Sequence, residues 1–254
     1  MTFTPHPNQA LRIPALQIGL LVIGALFSNT APLIAQSPYV AAGHPDGVIL
    51  LAPPPVAGSP EAAADLAATR AVFKARTAEE EERAIRQGTL SFSIFAPAIG
   101  PGFQLAQLPA TDALLQKVKK VIGQIIDDSK NHWKRQRPYQ LDPELNFGKP
   151  EASSSYPSGH STRGTVYALV LAEVFSENKA AILEIGRNIG WDRVLIGKHY
   201  PTDVYAGRVL GQAIVRELLA NASFRNDLEQ AKLEAQKISG NAKINQRVRE
   251  AVPH

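Results

Sequence analysis

A chain of 254 residues with a formal charge of +4 is long enough to bury a sizeable core, and its mildly basic balance suits an anionic small molecule as well as a nucleic acid. No long Lys/Arg run interleaved with aromatics argues for a polymer. The absence of cysteine excludes disulfides, thiolate metal sites, iron–sulfur clusters and a Cys nucleophile.

Residues 1–35 carry Arg12, a mostly apolar run from Ile13 to Phe27, and then a stretch of small and polar residues ending near Ala35. That is the layout of a secretory signal peptide, and the run, interrupted by Pro14 and Gln17, is short for a membrane span. Export to the periplasm or beyond is expected, with no stable membrane span after signal removal. Residues 36–60 are rich in Pro, Gly and Ala, with Leu51 leading into Pro53, Pro54 and Pro55, and read as an extended arm. Ser59 then caps a helix expected from Glu61 to about Gln87. Its acidic run, Glu79 to Glu82, belongs on a solvated surface, since consecutive carboxylates point around a helix instead of converging on a metal.

Thr111 and Asp112 are good caps for the next helix, whose apolar residues Leu114, Leu115, Val118, Val121, Ile122, Ile125 and Ile126 recur at helical spacing. The pattern predicts a helix reaching Pro138, with Lys130 at the edge of the apolar face and Arg137 two turns further along the same side. Taken alone, these cations and their neighbours Lys134 and Arg135 read as a solvated basic stripe.

The stretch Ser153–Arg163, Ser-Ser-Ser-Tyr-Pro-Ser-Gly-His-Ser-Thr-Arg, organises the rest. Pro157 keeps the residue before it out of a helix and an apolar-periodic segment follows, so Ser158 and Gly159 should open a helix. A helix opening presents unpaired N–H groups that cradle an oxyanion, and His160 on its first turn has the pKa of a general acid or base. A further helix, predicted from Asn178 to about Ile196, repeats Ile182, Ile185 and Ile189, and the next position of that stripe is Arg193. A buried, unpaired guanidinium costs on the order of several kcal/mol, so Arg193 needs an anion. Pro201 starts another helix, to about Leu219, whose inner stripe is headed by Asp203 and continues through Gly207, Leu210, Ile214 and Leu218. His199 stands close enough to Asp203 to donate from one ring nitrogen and keep the other free. The charged tail from Phe224 reads as one more helix and a loose end.

Fixed cations, helix-start donors, two histidines and an orienting carboxylate are what phosphoryl transfer requires. The chain also resembles, residue for residue, the three-part signature of the type 2 phosphatidic acid phosphatase superfamily: Lys130 with Arg137 and Pro138, then Pro157 through His160, then Arg193, His199 and Asp203. With the signal peptide and the triple-Pro arm, it is most similar to the bacterial class A non-specific acid phosphatases. The resemblance implies an all-α, single-domain helical bundle over residues 61–254. It implies catalysis by His199 as nucleophile, His160 as acid and Asp203 as orienter, and phosphate binding by Lys130, Arg137, Ser158, Gly159 and Arg193. It further implies a phosphohistidine intermediate, no metal or other cofactor, and small-molecule phosphate monoesters rather than a nucleic-acid polymer as substrates; homo-oligomerisation is left open. One position departs from the pattern: Asp192 stands where the family usually has Ser, and a carboxylate at the pocket rim is expected to oppose the anion. Two other readings stay open, a vanadate-dependent haloperoxidase of the same superfamily and a periplasmic phosphate-binding bundle without catalysis.

Overall fold

Every regular element among the described residues is helical. The computed structural model describes residues 1–2, 39–41 and 43–251, with side chains described as far as 238, so the predicted signal peptide lies, after its first two residues, outside the described residues. In chain order the helices are α1 (Gly47–Leu50), α2 (Pro60–Ala75), α3 (Ala78–Arg86), α4 (Ala96–Ile99), α5 (Pro109–Trp133), α6 (Pro138–Leu141), α7 (Gly159–Val174), α8 (Lys179–Leu195), α9 (Pro201–Ala220) and α10 (Ala222–Ala251). The all-α architecture is the expected one.

The single helix expected over 61–87 is two helices. Arg76 and Thr77 are extended, and Thr77 starts α3 with a capping box, its hydroxyl accepting from Glu80 N while the Glu80 carboxylate accepts from Thr77 N. The Pro-rich arm is not extended throughout, because Asp46 caps the short α1 with its carboxylate. Its far part is tied down by buried Leu51 and by Ala52, whose carbonyl accepts from the Tyr156 hydroxyl at 2.5 Å.

Helix α5 buries the apolar stripe read from its sequence but begins at Pro109, before the expected caps. Its cap is tertiary: the Glu234 carboxylate of α10 accepts from Ala110 N, Thr111 N and the Thr111 hydroxyl at 3.0, 2.9 and 2.8 Å. The helix stops at Trp133, where Lys134 turns into the left-handed region (φ 48°) and its N–H closes on Lys130 O. Arg137 is therefore not on α5, as the spacing predicts; it is the residue that leads into α6.

Helices α7, α8 and α9 form the centre of the fold, and they meet at glycines. A Cβ on Gly186 of α8 would stand 2.4 Å from the Ala168 Cβ of α7, and one on Gly207 of α9 would stand 2.6 Å from Ser158 O. The second contact matters for the site, because the missing side chain lets the start of α7 rest against the first turns of α9. The α9 stripe from Asp203 through Gly207, Leu210, Ile214 and Leu218 is buried along its length.

Candidate active site

The last turn of α5 and the residue leading into α6 carry two of the expected cations inward. Lys130, 5% exposed, donates from Nζ to the Ser154 carbonyl and, at 3.5 Å, to that of Ser155. Arg137, 3% exposed, donates to Ser153 O at 2.8 Å, Lys198 O at 2.9 Å and Ser154 O at 3.3 Å. Burial first, and the Arg137 charge second, push Lys130 down to about 7. Arg193 reaches the same place from the last turn of α8. It pairs with Glu151 through one terminal nitrogen while its buried Nε has no partner among the described residues. A guanidinium half satisfied in this way retains a donor for an incoming oxyanion.

His199 is buried just before α9, with its two ring nitrogens in different surroundings. Nδ1 lies 3.1 Å from Asp203 Oδ2, so it carries the proton, and unprotonated Nε2 accepts from Arg137 Nη1 at 3.3 Å. Burial, then the charges of Arg137, Lys130 and Arg193, hold the imidazole pKa well below its ordinary value. Asp203 is held in turn by three further donors: Tyr200 N at 3.0 Å, the Ser155 hydroxyl at 2.5 Å and Arg135 Nη1 at 2.6 Å. Arg135 continues the chain outward, donating to Asp65 of α2 at 2.7 Å and lying 3.9 Å over the Tyr200 ring. The sequence reading places Arg135 in a solvated basic stripe; the structure buries it between two carboxylates.

The Ser-Gly-His segment opens α7 as expected, with Ser158 at the cap. The Ser158 hydroxyl accepts from Ser161 N and its carbonyl from Thr162 N. Among the described residues the N–H groups of Gly159 and His160 have no acceptor, and they are the donors that a first helical turn offers an anion. The Ser158 hydroxyl itself serves the helix cap. His160 donates from Nε2 to Gly88 O at 3.1 Å, which leaves Nδ1 without the proton. Burial, then the charge of Arg193, push this imidazole down to about 3.

The structure thus draws Lys130, Arg137, Arg193, His160 and His199 together: His199 feels the charges of Arg137, Lys130, Arg193 and His160, and His160 those of Arg193 and Arg137. It also corrects one expectation. Asp192 is not at the rim: it is fully buried, and Arg83 of α3 donates to both its oxygens at 2.7 to 3.2 Å. Burial pushes its carboxyl pKa up and Arg83 opposes that rise. Two further residues enter the site without a strong signal in sequence. Glu151, from the loop before α7, adds a carboxylate that Lys130, Arg137, Arg193 and Lys198 all feel. Lys198, next to His199, donates to Lys149 O at 2.8 Å. Their only mark in the sequence is a lone acidic residue in a Ser-rich loop and a cation adjoining a motif residue.

Residues 114–227 match the model of the PAP2 superfamily. The chain is 32% identical over 203 residues to an acid phosphatase of Zymomonas mobilis subsp. mobilis, covering 76% of this chain and 77% of that one. It is 31% identical over 206 residues to a non-specific acid phosphatase of Providencia stuartii, covering 76% and 82%. Among solved structures, a transmembrane PAP2 type phosphatidylglycerolphosphate phosphatase from Bacillus subtilis matches with a TM-score of 0.48 at 22% identity, over 65% of this chain and 86% of that one.

Proposed function

Because the chain belongs to the PAP2 superfamily and is a phosphatase, we propose that it is an exported acid phosphatase that hydrolyses small phosphate monoesters through a phosphohistidine, using its own cations in place of a metal. The observation that carries this reading is the asymmetric environment of His199: the Asp203 carboxylate takes the proton-bearing nitrogen, and the other, unprotonated, accepts from Arg137, a donor that an incoming phosphate draws to itself. Export rests on the Arg12 and Ile13–Phe27 pattern of the N-terminal segment.

In the first step His199 Nε2 forms a bond to phosphorus as the ester P–O bond breaks, and the leaving oxygen keeps the bonding pair. His160 supplies its proton from Nδ1, the nitrogen left open by the bond to Gly88 O. Imidazole must be cationic to do this, and a bound phosphate opposes the repulsion from Arg193 that helps hold His160 down in the empty pocket. In the second step water attacks phosphorus, His160 takes its proton, and the N–P bond breaks to release inorganic phosphate and free imidazole. Lys130, Arg137 and Arg193, with the amides of Gly159 and His160, receive the non-bridging oxygens.

An acidic working range follows from the same electrostatics. Lys130, pushed down to about 7, is charged below neutrality and loses its charge above it, so the pocket attracts phosphate best on the acid side. His199, held well below its ordinary value, keeps its lone pair there. The test is labelling with a phosphate-labelled monoester, quenched in alkaline denaturant because a phosphohistidine survives alkali and hydrolyses in acid. Wild type should trap an acid-labile phosphoenzyme and His199→Ala should not, with circular dichroism unchanged; undiminished label in the variant rejects the nucleophile. Activity lost to a chelator and restored by a divalent cation rejects the metal-free reading.

A further inference from the structure

Arg163 is absorbed by none of the three motifs, yet its guanidinium lies beside Gly159 at the start of α7. It is the fourth residue after Gly159 on α7, rotated only about 40° from it, and helical side chains lean toward the N-terminus, so the Arg163 chain runs back over the first turn of its own helix. A Cβ on Gly159 would stand 2.9 Å from Arg163 Nη1 and 3.7 Å from Lys130 Cε. The glycine therefore does more than admit a phosphate: it leaves the slot through which Arg163 passes. The arginine is half-buried and, among the described residues, has no hydrogen bond and no ion pair. Its charge is felt by both Lys130 and His160.

A partly buried cation without a protein partner among the described residues is open to an anion, and the scissile phosphoryl group is already supplied. Lys130, Arg137, Arg193 and two free amides surround it, while Lys198 adds another positive charge against the single carboxylate of Glu151. The in-line geometry of phosphoryl transfer puts the leaving group opposite the nucleophile. On the reading of His160 as leaving-group acid, the leaving group departs toward His160 on the first turn of α7, and Arg163, three residues on, feels the same histidine across that turn.

We propose that Arg163 is a specificity residue that receives an anionic leaving group, so that the preferred substrates are phosphate esters or anhydrides whose departing portion carries its own negative charge close to the scissile bond. The inference rests on the reading of His199 as nucleophile and His160 as leaving-group acid. The shared chemistry is an anion a few bonds from the bridging oxygen, and it has two sources, a second phosphoryl group or a carboxylate.

The experiment compares kcat/KM of wild type and Arg163→Ala at pH 6 and low ionic strength on inorganic pyrophosphate, phosphoglycolate and ethyl phosphate. The variant should lose about tenfold on one or both anionic substrates and stay within about twofold on ethyl phosphate. A loss confined to pyrophosphate identifies the second phosphoryl as the group recognised, and one confined to phosphoglycolate identifies the carboxylate. An equal loss on all three, or a loss on none, overturns the proposal. A second measurement needs no variant: methylenediphosphonate should inhibit wild type about tenfold more tightly than methylphosphonate, and parity overturns the proposal. That ratio is read without turnover, so failure of the nucleophile assignment, seen as undiminished activity in His199→Ala, is distinguishable from failure of this one.

Discussion

His199 and Asp203 stand on a chain of buried side-chain pairs, whereas Lys130, Arg137 and Arg193 are tied to a loop. On the first side Asp203 is fixed by Arg135, Arg135 by Asp65, and the whole of α9 by its close seat against the start of α7. On the second side the cations donate to the carbonyls of Ser153, Ser154, Ser155 and Lys198, and among the described residues Arg193 pairs with the half-exposed Glu151 alone. The difference separates two requirements. A nucleophile must be held in one tautomer and one direction before substrate arrives, and a carboxylate–guanidinium–carboxylate chain does this because loosening it strands a buried charge. Groups that read an anion can rest on neutral carbonyls and turn to the ligand with little loss.

The largest effect that tests this contrast is on Arg135. Arg135→Ala leaves Asp65 and Asp203 buried without their cation, and removing one partner of such a pair costs about 3–5 kcal/mol. Asp203 then holds the His199 tautomer poorly, so kcat should fall by roughly 100-fold or more while KM changes little, an effect of the kind seen when a triad carboxylate is disabled. Thermal unfolding and steady-state kinetics on one monoester measure both. Arg135→Lys should recover part of the loss, since an ammonium reaches one carboxylate but lacks the fork for two. A kcat within threefold of wild type in Arg135→Ala would mean that Asp203 holds His199 without outside help, and the contrast would fail.

The same contrast explains what the sequence discloses. Apolar spacing is enough to recover the stripes of α5 and α9, and the local spacing of His199 and Asp203 is enough to place their pairing, because both ends lie on one turn. Asp65 cannot be read this way: it meets Arg135 and Thr202 across long stretches of chain, and nothing in an Ala-rich helix marks one acidic residue as buried. The start of α5 is misplaced for the same reason, since its cap is Glu234 rather than a neighbour. Arg137 shows the opposite failure. Helical spacing brings it near Lys130 correctly in outcome, but the cause is the left-handed turn at Lys134, which no periodicity reports.

A smaller effect is expected at Glu151, on the adaptable side. Its carboxylate occupies one arm of Arg193 and adds negative charge beside Lys130, Arg137 and Lys198, so substrate phosphate must compete with it. Glu151→Gln keeps the shape and removes the charge. Inorganic phosphate should inhibit the variant roughly three- to tenfold more tightly and KM for monoesters should fall in parallel, with kcat within about twofold, the pattern of a lost ground-state competitor. Added salt should narrow the gap, because a partly exposed charge is screened. Equal inhibition constants in the two proteins would place Glu151 among the fixed structural pairs and remove the adaptable half of the comparison.

The smallest effect is expected at Asp192, where the sequence alone predicts a charge opposing the phosphate. Asp192 adjoins Arg193 in the chain, but its side chain turns away and both carboxylate oxygens are taken by Arg83. A bidentate pair presents little net charge to a third group, so Asp192→Ser should change inhibition by inorganic phosphate less than twofold. Stability should fall by only about 1 kcal/mol, because Arg83, whose side chain is 30% exposed, regains water when its partner goes. Arg83→Ala is the informative partner variant. Burial already pushes the Asp192 carboxyl above its ordinary value, and a group whose folded pKa is raised contributes stability that is lost as the pH rises through that value. Without Arg83 the rise grows, so Arg83→Ala should melt progressively lower than wild type between pH 4 and pH 8, while the deficit of Asp192→Ser narrows over the same window, because wild type loses the Asp192 contribution and the variant has none to lose. Melting temperatures across that window, with phosphate inhibition constants at its ends, measure both effects. Marked tightening of phosphate in Asp192→Ser would show that the carboxylate reaches the pocket after all, and a level deficit in Arg83→Ala would show that the pair does not hold Asp192 ionised.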